Sequence, residues 1–360
     1  MKKKQWILVL LWLLPMTVFV LCRSFPAFAE YVFARGIYRY YHTALAFLTG
    51  LVPFSLAEIL IYLLVLIGLG SLTFWIVRMA KGKKVFARGS YSIGFLAGVI
   101  FFLFVFGSGG NYYRHTYAEL TGLEVRPSTD QELYSLCMDL TERTNAAREA
   151  LSESEDADGV FVLSCTINEL EERSRQAMNK LGEKEPLLNG YYPSPKAVLW
   201  SRGLSRFGIT GITTPYTMEA NVNVDAPECS LAASMCHELS HIAGFMREDE
   251  ANFISYLACT NSEDAVLNYS GLLMALGYAG NALYKSSPEL YRTVAQNYSE
   301  ALIRDLSAES AYWKQFEDSA TTQIGEKVND AFLKANRQEA GTKSYGAMVD
   351  LLLADYRKNY

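Results

Sequence analysis

Histidine is scarce in this chain, with four in 360 residues, and none of its six cysteines belongs to a C-x-x-C pair. A structural zinc knot built from paired thiols is therefore excluded. Basic residues cluster only beside apolar segments and the net charge is −5, so nothing points to nucleic acid as a partner. Charge of either sign is missing from three N-terminal stretches: Gln5 to Cys22, Ile59 to Val77 and Gly89 to Tyr113. A helix needs about 20 residues to cross the hydrocarbon core of a bilayer. Runs such as ILIYLLVLIGLG and GFLAGVIFFLFVF are apolar on every face of a helix, which an ordinary soluble helix is not.

These features predict a membrane region over residues 1–113, with spans at about 5–22, 56–78 and 91–110, followed by a polar domain over 114–360. Lys2, Lys3 and Lys4 precede the first span, and Lys81, Lys83, Lys84 and Arg88 lie between the second and third. Basic loops stay in the cytoplasm, so the expected product is a multi-pass protein of the cell membrane with its C-terminal domain extracytoplasmic. PAFAE offers a signal-peptidase-like site at Ala27 to Ala29, but the apolar stretch before it is long, and an uncleaved anchor is expected. The aromatic segment between spans one and two, which includes His42, reads as an interfacial helix.

Beyond the spans, RPSTDQELYSLCMDLTERTNAARE starts a soluble helix capped by Ser128 or Thr129, with Ser128 and Gln131 at capping-box spacing. A second helix is expected over about Ser164 to Leu181, and NGYYPSPKA reads as an irregular link. Between Phe207 and Val224, Thr, Ile and Val alternate in places around Gly211 and Pro215, which predicts two short strands. After Ala258 the pattern is helical to the end.

The chemistry lies in MCHELSHIAGFMREDEANFISYLAC, residues 235 to 259. His237, Glu238 and His241 spell H-E-x-x-H. Four residues advance about 400° around a helix, so both imidazoles share one face and can grip one metal ion. Glu238 lies about a quarter turn away, where it can serve as a general base rather than a ligand. Leu231, Met235, Leu239 and Ile242 form an apolar stripe that anchors the helix. A catalytic zinc takes three protein ligands, and His42 and His115 both flank membrane spans, so the third should be acidic. Periodicity leaves Glu248 and Glu250 both open.

H-E-x-x-H followed by a helix bearing E-x-x-A-[DN] resembles the gluzincin metallopeptidases. That resemblance makes Glu248 the third ligand and Asn252 the partner of His237, with Asn in place of the usual Asp. Together with GITGITTPYTMEANVN and KANRQEAGTKSYG, the same stretch resembles a family of bacterial membrane proteins defined only as domain of unknown function 3810. The implied fold is mostly α, with three transmembrane helices and then a mainly helical zincin-like domain with a short β element. The implied activity is that of a zinc metallopeptidase with Zn2+ as cofactor, acting on peptides or proteins. Zinc peptidases often stabilise the transition state with a tyrosine, which brings in Tyr269 and Tyr345. The strand around Met218 to Val224 could pair with an extended peptide. The competing class is a membrane sensor or scaffold, derived from such an enzyme, that keeps zinc for stability.

Overall fold

A helix satisfies its own N–H and C=O groups, as a lipid environment demands, and the three apolar runs are helical. The computed structural model describes residues 3–81, 86–317, 320–336 and 347–359; Lys83, Lys84 and Tyr345 lie outside them. Among the described residues, three helices are long and apolar enough to cross a membrane: Gln5–Ser24, Leu56–Ala80 and Tyr91–Gly109. They belong to α1 (Lys3–Ser24), α3 (Leu56–Ala80) and α4 (Phe86–Phe104), with α2 (Arg39–Gly50) between the first two. The described chain divides into two units: Met1–Arg114 with Thr214–Glu219, and His115–Thr213 with Ala220–Tyr360.

Within the first unit α1 packs on α4. Gly94 and Gly98 lie four residues apart on α4, the small-residue spacing that lets helices approach closely in lipid. Trp12 Nε1 donates to the Gly94 carbonyl at 3.1 Å, and a Cβ at Gly98 would press on Trp12 and Leu11. Helix α3 differs, because its buried residues are only Ala57 and Glu58; most of the rest of its surface is apolar and exposed. The expected interfacial helix is partly folded inward instead. A π-helical stretch, Phe28–Tyr38, runs into α2, and Glu30, Phe33, Tyr38 and His42 are all buried. Buried Glu30 is matched by Arg35 Nε at 2.7 Å and Arg114 Nε at 2.8 Å, as a desolvated carboxylate requires.

The start of α3 draws on a distant residue. The first N–H groups of any helix have no partner within it. Here Ser55 Oγ accepts from the Glu58 N–H at 3.0 Å. Glu219, 1% exposed, accepts from the N–H groups of Leu56 at 3.1 Å and Ala57 at 2.8 Å. Its negative charge also suits the positive end of the helix dipole. A Cβ at Gly107 would collide with Pro215, so glycine is what lets the turn before Glu219 come close.

The second unit is mainly helical: α5 (Tyr117–Thr121), α6 (Asp130–Glu149), α7 (Ile167–Lys184), α8 (Ser201–Ser205), α9 (Glu228–Ile242), α10 (Glu248–Thr260), α11 (Ala265–Ser286), α12 (Pro288–Ala295), α13 (Glu300–Lys314), α14 (Ala320–Ala335) and α15 (Met348–Asn359). Helices α9, α10 and α11 pack on one another, α6 covers α11, and α7 covers α9. Thr129 caps α6 in a box with Glu132, one residue along from the Ser128–Gln131 pair. The expected strands are β2 (Gly211–Thr214) and β3 (Glu219–Val222). A third, β1 (Lys196–Ala197), lies in the supposed link and pairs parallel with β3, Lys196 opposite Asn221. The order β1-β3-β2 puts β3 in the centre and β2 at an edge.

Replacing Glu219 with alanine would leave two buried N–H groups without an acceptor, at about 1–3 kcal/mol. Glu219→Ala should therefore lower the melting temperature of the detergent-solubilised protein, and Glu219→Gln, which keeps one acceptor oxygen, should lower it less. Equal melting of all three proteins would contradict the cap.

Candidate metal centre

Helix α9 is almost wholly buried, and Leu231, Met235, Leu239 and Ile242 are each 0% exposed. It stops at Ala243 because Gly244 adopts a φ of 89°, a left-handed conformation that glycine alone takes without strain. The Gly244 N–H bonds to the His241 carbonyl at 2.9 Å and the Phe245 N–H to the Ser240 carbonyl at 3.2 Å, the two bonds of a Schellman ending. The chain thereby reverses within five residues and starts α10 at Glu248. Ala251 is fully buried, and Ser255 Oγ donates to the Ala233 carbonyl at 2.6 Å, joining the two helices side by side.

This reversal brings His237, His241 and Glu248 together, with ligand atoms all within 4.8 Å of one another. Glu248 Oε2 is 3.3 Å from His237 Nε2, and Glu248 Oε1 is 3.8 Å from His241 Nε2. Two ligands bonded at about 2.05 Å to one tetrahedral ion would lie roughly 3.3 Å apart, close to the separation of Glu248 from His237 and somewhat shorter than that from His241. The side chains are 14%, 12% and 13% exposed, enclosed yet reachable.

The far nitrogens of both rings are held. His237 Nδ1 is 2.8 Å from Asn252 Oδ1, and His241 Nδ1 is 2.8 Å from the Phe245 carbonyl oxygen. Both oxygens can accept, so each Nδ1 can carry the ring proton, the tautomer that makes the Nε2 atoms on the Glu248 side available to a metal ion. That is how histidine ligands are oriented in metal sites. The donor chemistry and its supporting bonds fit a zinc ion.

Glu238 is 4% exposed. Its carboxylate lies 2.7 Å from Thr213 Oγ1, which is also 2.8 Å from the Glu238 carbonyl. A Cβ at Gly211 would press on that carboxylate, so β2 runs directly beside it. Burial pushes the Glu238 carboxyl up, against the lowering effect of His237 and His241. For His237, burial alone would lower the pKa, but the hydrogen bond and charge of Glu248 outweigh it and the ring is raised above its ordinary value.

Other residues singled out in the sequence lie elsewhere. Glu250 is buried and accepts the Tyr117 N–H at 2.7 Å, with Arg247 Nε 3.7 Å away; it is not brought to the triad. Tyr269 is fully buried and donates to Asp305, which also pairs with buried Arg148. It belongs to a packing network and not to the triad. Tyr345 lies outside the described residues. The sequence reading assigned no role to Thr213, although it falls in the quoted GITTPYTME run. It also passed over Tyr278, whose oxygen accepts from Asn252 Nδ2 at 3.2 Å.

The purified protein is expected to hold about one zinc per chain by elemental analysis, and His237→Ala or His241→Ala should abolish it. A metal must displace the proton favoured by the raised His237 pKa. Apparent affinity should accordingly fall about tenfold for each pH unit below that pKa, measured by chelator competition. A flat profile would show that this proton does not compete.

No curated protein and no solved structure matches the chain. Residues 33–353 match the family described as protein of unknown function DUF3810, and with nearly the whole length covered, the chain belongs to that family.

Proposed function

We propose that this chain is a membrane-anchored zinc hydrolase, a gluzincin-like metallopeptidase whose domain from residue 114 onward acts on peptides or proteins outside the cytoplasm. The observation that carries the reading is Glu238. It is a buried carboxylate next in sequence to a metal-ligand histidine, yet it stays out of the ligand group and is held by Thr213. A zinc ion held by His237, His241 and Glu248 would polarise a substrate carbonyl and make water acidic enough to act as nucleophile near neutral pH. Glu238 takes the water proton and delivers it to the leaving amine. A carboxyl with a raised pKa suits both transfers. Thr213 keeps the acid end of Glu238 from swinging away.

The strand geometry redirects one expectation. The segment Met218 to Val224 contains β3, which is the central strand and has neighbours on both sides, so it has no edge for a peptide. Strand β2 is at the edge and touches Glu238 through Gly211 and Thr213. In the proposed enzyme an extended substrate pairs with β2, which would lay its scissile bond beside the base.

Glu238→Gln keeps the size and hydrogen bonding of the side chain but removes the base. Zinc content and melting temperature should stay near wild type, while hydrolysis of a diverse peptide library should fall by about 10²-fold or more. Glu248→Gln should instead lose zinc, and Glu250→Gln should keep both zinc and turnover. Unchanged turnover in Glu238→Gln would leave a metal protein that is not this hydrolase and would favour the sensor or scaffold.

The basic residues around Lys81 set the orientation in this proposal. Protease shaving of intact cells should remove an epitope placed after Tyr360, and a protected C-terminus would overturn the extracytoplasmic assignment.

A further inference from the structure

We propose that Tyr278 is a positioning residue for the metal centre: it anchors the amide of Asn252 so that the amide oxygen faces His237. The proposal rests on the reading of His237, His241 and Glu248 as metal ligands. A side-chain amide has one accepting end and one donating end, and turning it over exchanges them at almost no change in shape. A carboxylate at this position would have two accepting ends and no such ambiguity. Asn252 is 4% exposed, so neither of its ends can rely on bulk water.

When a metal takes the Nε2 lone pair of His237, the ring proton must sit on Nδ1, and only Asn252 Oδ1 can face it. Asn252 Nδ2 then needs an acceptor of its own. Tyr278 Oη supplies one at 3.2 Å. A phenol oxygen has lone pairs as well as a proton, so it can accept from the amide while its own O–H points elsewhere. Hydrogen bonds therefore link Tyr278 through Asn252 to His237, one of the residues that would hold the ion.

Without a metal, the amide can turn over and donate to a bare Nδ1, while the ring carries its proton on Nε2 next to Glu248. Losing the phenol oxygen therefore harms the metal-bound state more than the metal-free one. Tyr278 should tune affinity, not merely packing. The need for it also follows from Asn at position 252, because an aspartate there has no N–H to place.

The test is a double-mutant cycle on the full-length protein in detergent. Zinc dissociation constants are measured by chelator competition, and melting temperatures in excess chelator. Tyr278→Phe should weaken zinc binding by about tenfold, at the lower end of what loss of an outer hydrogen-bond partner costs, with little change in metal-free melting. In the Asn252→Ala background, which has no amide to orient, the same Tyr278→Phe change should cost little or nothing. Unchanged affinity in Tyr278→Phe would overturn the proposal. Equal losses in both backgrounds would also overturn it, because they would mark simple packing. A wild-type protein that binds no zinc would instead remove the metal reading on which the proposal stands.

Discussion

The reversal at Gly244 is the constraint on which the candidate centre depends. Two of the three candidate ligands come from α9 and one from the first residue of α10, and only five residues separate the helices. A chain that short can turn back on itself only if one residue takes a left-handed backbone, and Gly244 does so. The turn has a second effect. The N–H of Phe245 ends α9, while its carbonyl holds the ring of His241. Helix termination and ligand orientation are thus one local structure, with no separate element to misalign.

The acidic run after the turn shows how neighbouring carboxylates are sorted by what surrounds them. Glu248 faces the two imidazoles, Asp249 pairs with Arg247 at 3.2 Å, and Glu250 caps the start of α5 through the Tyr117 N–H. Three adjacent carboxylates on one helical turn would repel if left together. Each here has its own donor, and the repulsion is relieved in three directions. Glu238 completes the pattern, with the Thr213 hydroxyl rather than a cation as its hydrogen-bond partner.

Legibility in the sequence followed the range of the interactions. The three apolar helices and the shared face of His237 and His241 are short-range patterns legible from spacing, whereas Glu248 and Asn252 followed only from the resemblance to the gluzincin pattern. The choice between Glu248 and Glu250 was not local, because Glu250 is claimed by Tyr117, 133 residues away. The surroundings of Tyr269 are set at the same range: its hydroxyl donates to Asp305, 36 residues on. Strand β1 is two residues long and has no period to read. Thr213 and Tyr278 carry no motif, and only the folded packing of β2 and α11 brings them to Glu238 and Asn252.

The cap on α3 has a consequence for how the chain is made. Leu56 leaves the ribosome 163 residues before Glu219, and at about 5–20 residues per second that interval lasts roughly 10–30 s. Through it the second apolar helix has the Leu56 and Ala57 N–H groups without their final acceptor. The hydrogen bonding at the start of this apolar helix can therefore reach its final form only after residue 219 has been made, and a chain that stops short of Glu219 never reaches it.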